Sequence, residues 1–339
     1  MAPARTSVVR MSLALRFPLG FFYGGPLEAI PVDLPTFRAR RSMTAKVRDG
    51  ACADGEFAIN LLMPFFRQRF ELPKPALPVV AGEMEDSSPA AVATFLRHFW
   101  NMGSGPINNM IHLVEAKGVT VFWLSQNEDK VDAFSLWFDE HPYIFLNDGP
   151  VDGERERFTV AHELGHLMLH KNEAYATRYG PNWSHNEQQA NEFASSFLMP
   201  YTEFRAECPR YPVLSEFIPL KHRWKVSIQA MIRRGRDVGR LTEAQYQSAY
   251  IEISRRQWRR AEPDPLPRER SQLHEILFTR LVSKGISVQA LANELLVRPG
   301  DIGAVCPYAR ELLTSDSVVP ARSDDESSEG RVLPFRFAR

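Results

Sequence analysis

Residues 158–170 read Phe-Thr-Val-Ala-His-Glu-Leu-Gly-His-Leu-Met-Leu-His, and this stretch decides the fold of the chain. In a helix, His162 and His166 lie one turn apart on the same face, with Glu163 beside them. The opposite face is apolar and carries Val160, Leu164, Leu167 and Met168. Gly165 costs roughly 1 kcal/mol relative to alanine inside a helix, so we expect another backbone to approach it closely. The pattern predicts an amphipathic helix that carries a metal site.

A third metal ligand is required, because a catalytic zinc ion takes three ligands from the protein and water as the fourth. His170 lies two turns beyond His162, about 12 Å along the helix axis, and we expect it to hydrogen-bond or pack rather than close the site. Glu187 is the preferred third ligand. Glu192 or His185 could take its place, because both lie in the same segment.

Glu187 belongs to a second predicted helix over residues 186–199, which Pro200 ends. One face of this helix carries Glu187, Ala190, Asn191, Ala194 and Leu198. The two alanines allow close approach to the first helix. Asn191 follows Glu187 by one turn and is placed to hydrogen-bond a ligand histidine.

These residue types suit hydrolysis by a metal-bound water. Imidazole and carboxylate ligands with an open position favour Zn²⁺, although Mn or Fe could use the same ligands. Zinc lowers the pKa of its bound water toward 7, and we predict that Glu163 accepts the water proton and passes it to the leaving amine. The spacing identifies no oxyanion donor; the candidates nearest in the chain are His185, Tyr175 and Tyr179. Three acids are interpreted as first-turn carboxylates at the positive end of the helix, namely Asp152, Glu154 and Glu156.

The combination of His-Glu-Leu-Gly-His, Glu-x-x-Ala-Asn-x-Phe-Ala and Leu-Met-Pro resembles the ImmA/IrrE family of zinc metallo-endopeptidases. The similarity extends over roughly residues 90–258, including the strand-like residues 132–138 and 143–147 and the segment 220–227. This resemblance implies a zinc endopeptidase that cleaves an Xre-type helix-turn-helix repressor and so relieves repression.

The N-terminal residues 13–25 are similar to the tail that follows the helix-turn-helix in longer, regulator-associated members of that family. Almost nothing precedes them in this sequence, so we expect the DNA-reading helices to be missing, which argues against direct DNA binding. Residues 224–230 and 287–292 also resemble helix-turn-helix turns, but such patterns are common in plain helical bundles.

Hydrophobic periodicity and proline content divide the chain. Three strands are predicted, at residues 119–124, 132–138 and 143–147, and Phe134, Leu136 and Phe138 alternate as in a half-buried strand. The predicted fold is α+β, a small antiparallel or mixed sheet on a helical, zincin-like core, with a mostly helical C-terminal region. A sheet edge could hold an extended peptide substrate. The predicted divisions are an N-terminal segment 1–72, a proline-rich linker 73–89, the metallopeptidase domain 90–260, a helical region 261–313 and a disordered tail 314–339.

Composition sets broad limits on function. With 339 residues, 44% hydrophobic, the chain can form one large or two modest domains. Its 41 basic and 41 acidic residues give no overall electrostatic case for nucleic acid. Three isolated cysteines favour a reducing compartment, and the apolar N-terminal run is far shorter than the roughly 18 residues of a membrane span. We therefore expect a cytoplasmic protein without a membrane partner.

Two functions from different classes remain open from the sequence. The first is a zinc endopeptidase acting on a repressor. The second is a transcriptional regulator whose peptidase-like domain senses a ligand or partner, with a metal site that is structural or inactive. Loss of cleavage in Glu163→Gln with zinc retained distinguishes the first from the second.

Overall fold

The computed structural model describes residues 5–25, 27–30, 36–39, 45–80, 86–125, 131–171 and 183–314. Within these ranges the chain combines helices with a small mixed sheet, which confirms the predicted α+β fold and its helical C-terminal region. No helix in the described part of the chain has the length and apolarity needed to cross a membrane. Tyr175, Tyr179 and the tail from residue 315 lie outside the described residues.

The bounds of the elements follow the chain. The strands are β1 (Thr36–Ala39), β2 (Thr120–Leu124), β3 (Val131–Phe138) and β4 (His141–Asn147). The helices are α1 (Arg5–Leu15), α2 (Ala45–Phe57), α3 (Met63–Arg69), α4 (Pro89–Phe99), α5 (Met110–Ala116), α6 (Gly153–Leu169), α7 (Trp183–Leu198), α8 (Tyr201–Glu207), α9 (Phe217–Trp224), α10 (Ile228–Asp237), α11 (Glu243–Arg255), α12 (Gln272–Ser283), α13 (Val288–Leu295), α14 (Pro299–Val305) and α15 (Pro307–Thr314). Ser227 caps α10, and Thr242 forms a capping box with Gln245 at the start of α11.

The sheet has the strand order β1-β3-β4-β2. β3 and β4 form an antiparallel hairpin, which turns through Asp139 and Glu140, both at positive φ. β2 runs parallel to β4, and β1 runs antiparallel to β3 along its other side. The side of β3 that faces away from β4 is therefore paired with residues of the same chain.

Both faces of the sheet are covered, so the prediction of a half-buried β3 was wrong. Phe134 and Ala133 point to opposite faces, yet both are completely buried. The first face carries Val121, Ala133, Ile144 and Leu146 and shares a core with α4 to α7. The second carries Phe122, Phe134, Leu136 and Phe145 and shares a core with α3 and α12 to α15. Alternation of polar residues disappears where helices cover a sheet on both sides.

The regions predicted on either side of the metallopeptidase domain meet on the second face. Phe66 of α3 packs edge-on against Phe278 of α12, with ring centroids 5.8 Å apart. Core residues of residues 92–253 surround the first face. Helices from the N-terminal and C-terminal regions therefore contribute to one core on the second face of the sheet.

Two proline-rich segments, residues 73–80 and 263–267, contact neighbouring elements through their backbones. Ala76 donates its N–H to the carbonyl of Lys117 at 2.9 Å and accepts from the Trp100 indole at 2.7 Å. In the second segment, the carbonyl of Leu266 accepts from the Gly153 N–H at 3.0 Å. Because their backbone groups are satisfied by neighbouring elements, these segments are held in fixed positions.

Buried ion pairs fix the first turn of α6. Lys221 lies 2.5 Å from Glu154, and Arg268 lies 2.5 Å from Glu156. Both carboxylates are almost completely buried. Glu154 and Glu156, predicted as first-turn carboxylates, thus also connect α6 to α9 and to the segment that leads into α12. Removing one partner would leave a buried charge without compensation.

Glu115 makes stability depend on pH. Burial raises its pKa to about 8, although Ser271 and the backbone of α12 donate to it. Because the folded pKa exceeds the unfolded value, its contribution is complete below about pH 4.5 and is lost as the pH rises toward 8. We expect Glu115→Gln, which can accept from the Leu273 amide and donate to Ser271, to reduce this loss. Urea unfolding at pH 5 and pH 8 measures the change in the free energy of unfolding between the two pH values. Glu140→Gln, at an exposed position, is the control. An equal pH dependence of the free energy of unfolding in both variants would contradict the prediction.

Candidate metal centre

Helices α6 and α7 pack closely where the sequence places the metal site. A Cβ atom added to Gly165 would lie 3.0 Å from Phe193 Cδ1 and 3.3 Å from the Cα atom of Ala190. Ala190 and Ala194 are completely buried. The expected close approach of another backbone to Gly165 is therefore confirmed, and the small residues on both helices permit it.

This packing brings three candidate ligands together. The Nε2 atoms of His162 and His166 lie 3.1 Å apart. Glu187 Oε1 lies 3.2 Å from the His166 Nε2, and Glu187 Oε2 lies 3.5 Å from the His162 Nε2. A tetrahedral zinc ion with bonds of 2.0 to 2.1 Å separates its ligand atoms by about 3.3 Å. The donor types and their spacing therefore fit a zinc-sized ion.

The alternative ligands do not join this group. Among the described residues, the donor atoms of His162, His166 and Glu187 all lie within 4.8 Å of one another and form a possible metal-binding group. His185 and Glu192 are on the same helix as Glu187, but both side chains are exposed and outside the group. Glu187 is 17% exposed, so the site reaches solvent on this side.

Asn191 sets the tautomer of His162. Its Nδ2 donates to the Glu187 carbonyl at 2.7 Å, which fixes the orientation of the amide. Its Oδ1 then faces the His162 Nδ1 at 3.2 Å and can only accept. His162 therefore carries its proton on Nδ1 and presents the lone pair of Nε2 toward the metal position.

His166 is oriented by a longer hydrogen-bond chain. The Gln189 Oε1 lies 3.0 Å from the His170 Nε2 and accepts its proton. His170 Nδ1 is then an acceptor, 3.0 Å from the His166 Nδ1. His166 is thereby left with a lone pair on Nε2, as the metal requires. His170 hydrogen-bonds, as predicted from its distance along the helix. The role of Gln189 was missed, because its contact with His170 joins two separate helices.

The electrostatics of Glu187 suit a site for a cation. Burial alone would raise the pKa of this carboxyl, but its hydrogen bonds and charge interactions with His162 and His166 outweigh that effect. The pKa is held well below its usual value. Glu187 is therefore a carboxylate at neutral pH, available as a ligand.

The Glu163 side chain is hydrogen-bonded by a residue of the sheet. Ser135 on β3 donates to the Glu163 Oε2 at 2.7 Å, and the same hydroxyl oxygen lies 3.2 Å from the Glu163 carbonyl. The Trp137 indole donates to the Leu167 carbonyl at 3.0 Å. The sequence did not identify Ser135, because Ser135 and Glu163 come close together only when α6 packs on β3.

A substitution at Gly165 tests whether the close approach of α6 and α7 sets the spacing of the ligands. We expect Gly165→Val to push α7 away, weakening zinc affinity by about 10-fold or more and lowering the free energy of unfolding by roughly 1–3 kcal/mol. Isothermal titration with zinc and urea unfolding measure the two effects. Gly300→Val in α14 is the control, because an added Cβ meets nothing within 4 Å there. Unchanged zinc affinity in Gly165→Val would show that the approach does not set the ligand spacing.

The comparison with known proteins covers the same part of the chain. Residues 114–235 match the family model for the IrrE N-terminal-like domain of peptidase family M78. No curated protein matches the chain. The matched range includes both ligand helices and the strands that hold Glu163. The domain that residues 114–235 form is therefore similar to the IrrE N-terminal-like peptidase domain, which supports the resemblance to the ImmA/IrrE family seen in the sequence.

Proposed function

We propose that this protein is a zinc-dependent endopeptidase that hydrolyses a peptide bond in a protein substrate. One observation carries the proposal. Two imidazoles, each oriented by a hydrogen bond at Nδ1 so that Nε2 faces the candidate metal position, meet Glu187 within ligand distance. The carboxylate of Glu163, held by Ser135, lies on the same helix. A structural zinc site is usually closed by four protein ligands, whereas three protein ligands leave a position for water.

In this reaction, individual residues of the site have separate roles. Bound zinc would lower the pKa of its water and polarise the scissile carbonyl. Glu163 accepts the proton from the attacking water and later delivers it to the leaving amide nitrogen, so no covalent intermediate forms. Ser135 holds the carboxylate of Glu163 through one oxygen. Asn191 and His170 accept hydrogen bonds from the Nδ1 atoms of His162 and His166, so that each Nε2 lone pair is directed toward the metal position.

Ser135 is a positioning residue for Glu163. We expect Ser135→Ala to lower kcat by about 10-fold with KM and zinc affinity unchanged, because the carboxylate loses one hydrogen bond that orients it. Ser135→Cys, which keeps a weak donor of similar size, should recover part of the loss. Steady-state kinetics on the cleaved substrate give both parameters. A parallel fall in zinc affinity would point to a general packing role instead.

We infer that the substrate is a helix-turn-helix repressor, on the strength of the family resemblance. Cleavage would relieve repression in the cytoplasm. The alternative is a transcriptional regulator in which the peptidase-like domain acts as a sensor, without hydrolysis. The intact set of ligands and the held Glu163 favour the peptidase.

The test is incubation of the zinc-loaded protein with the repressor encoded by the neighbouring gene. We expect discrete fragments that are absent when Glu163→Gln replaces the wild-type chain, and mass spectrometry of the fragments identifies the scissile bond. An intact repressor after long incubation at equal concentrations would count against the substrate. Repression that is unaffected by Glu163→Gln in cells would favour the regulator.

A further inference from the structure

The side of β3 that faces away from β4 is here called the β3 edge. α6 packs on β3 and β4, and Ser135 and Trp137 of β3 both hydrogen-bond to α6. A polypeptide that paired with this edge in an extended conformation would pass beside Glu163. Main-chain pairing to a sheet edge is a general way of binding extended peptides.

This edge is occupied by β1. Thr36 lies opposite Ser135, Phe37 opposite Phe134 and Arg38 opposite Ala133. The pairing is antiparallel and reaches the strand position whose side chain holds Glu163. A substrate strand and β1 cannot occupy the same positions, because each backbone group of the β3 edge pairs with one partner.

The pairing of β1 is short and irregular. The strand has four residues, and its register with β3 shifts between Arg38 and Ala39. Strands this short contribute few ladder hydrogen bonds, and bulges weaken pairing. Its advantage over a free peptide is that it belongs to the same chain, which gives an effective concentration in the millimolar range for a short connection.

We propose that the β3 edge is the docking edge for an extended segment of the protein substrate and that residues 36–39 occupy it as a competing strand of the same chain. This inference rests on the proposed function and adds a condition to it: β1 leaves the edge before a substrate binds. The protein would then be held in a low-activity state that a tightly binding substrate overcomes.

A peptide that copies residues 33–42 is the probe, because it carries the sequence that already pairs with β3. It is labelled with a fluorophore and titrated into zinc-loaded Glu163→Gln protein, which cannot cut it. Two further variants in this background are Phe37→Pro and Arg38→Pro. Successive residues of a strand point their N–H groups to opposite sides, so one of the two prolines removes a hydrogen bond to β3. Phe37→Ala and Arg38→Ala are the matched controls, since they keep the backbone N–H.

We expect one proline variant to bind the peptide at least about 10-fold more tightly than its alanine control, because the intrachain competitor is lost. Equal binding by the proline and alanine variants, or no binding by either, would overturn the inference. Circular dichroism and zinc content show whether the proline variants are folded.

A second measurement needs no substitution in β1. Millimolar peptide added to the zinc-loaded Glu163→Gln protein should speed amide hydrogen exchange in residues 36–39 and leave residues 131–136 protected. Unchanged exchange in residues 36–39 at saturating peptide would contradict displacement. If the peptide binds but the wild-type protein does not cleave the repressor, the proposed function alone is contradicted. If the repressor is cleaved but the peptide does not bind, this inference alone is contradicted.

Discussion

Glu163→Gln is expected to lower kcat/KM for the repressor by about 100- to 10,000-fold while the protein keeps its zinc. Glutamine has nearly the shape of glutamate and can still accept the hydrogen bond from Ser135, but it cannot take a proton from water. The three candidate ligands are untouched, so zinc content and the free energy of unfolding should stay near their wild-type values. Fragment formation followed by mass spectrometry measures activity, and elemental analysis measures zinc.

The control for this substitution is Glu192→Gln on α7. Glu192 is exposed and outside the ligand group, so the same chemical change there should leave cleavage within about 2-fold of wild type. Residual activity within 10-fold of wild type in Glu163→Gln would remove Glu163 as the proton acceptor. Loss of zinc from that variant would instead assign Glu163 to the ligand set.

Glu187→Ala is expected to weaken zinc binding by more than about 100-fold and to abolish cleavage. Changes to groups that only support a ligand typically cost 10- to 100-fold in affinity, and this change removes a ligand itself. Without Glu187, the His162 and His166 Nε2 atoms that face each other at 3.1 Å lose the anion that compensates a cation between them. Competition with a fluorescent zinc chelator measures the affinity.

His185→Ala and Glu192→Ala complete this test, because both residues were alternatives for the third ligand. Their exposed side chains lie outside the ligand group, so zinc affinity should be unchanged in both. A large loss of affinity in either variant, with Glu187→Ala near wild type, would reassign the ligand. The zinc affinity of Asn191→Ala should lie between that of Glu187→Ala and that of the two exposed-residue variants, because Asn191 orients the ligand His162 and is not a ligand itself.

The local pattern of the sequence was sufficient to predict the helices and to select the three candidate ligands that the structure brings together. The spacing of His162 and His166 places both rings on one face of any helix. Ala190 and Gly165 are small in the sequence itself, and small residues predict a close approach wherever two helices meet. Caps such as Thr242 with Gln245 act within four residues, so they too can be identified without tertiary structure.

Contacts between distant segments could not be predicted in this way. The sequence of β3 alternates in size and polarity, and it does not show that α3 and α12 would cover the second face. The prolines at residues 73–80 predicted a linker but not its contacts, in which Ala76 hydrogen-bonds to Lys117 and Trp100. The division into five regions stays a prediction, and two of those regions meet in one core.

The sequence by itself therefore determined the helix that presents His162, Glu163 and His166, because helical periodicity is a local property of the chain. Tertiary structure alone decided the hydrogen bond from Ser135 to Glu163, the chain from Gln189 through His170 and the pairing of β1 with β3. These contacts join residues from separate elements. Their formation depends on which surfaces are buried together, and no spacing along one element records that.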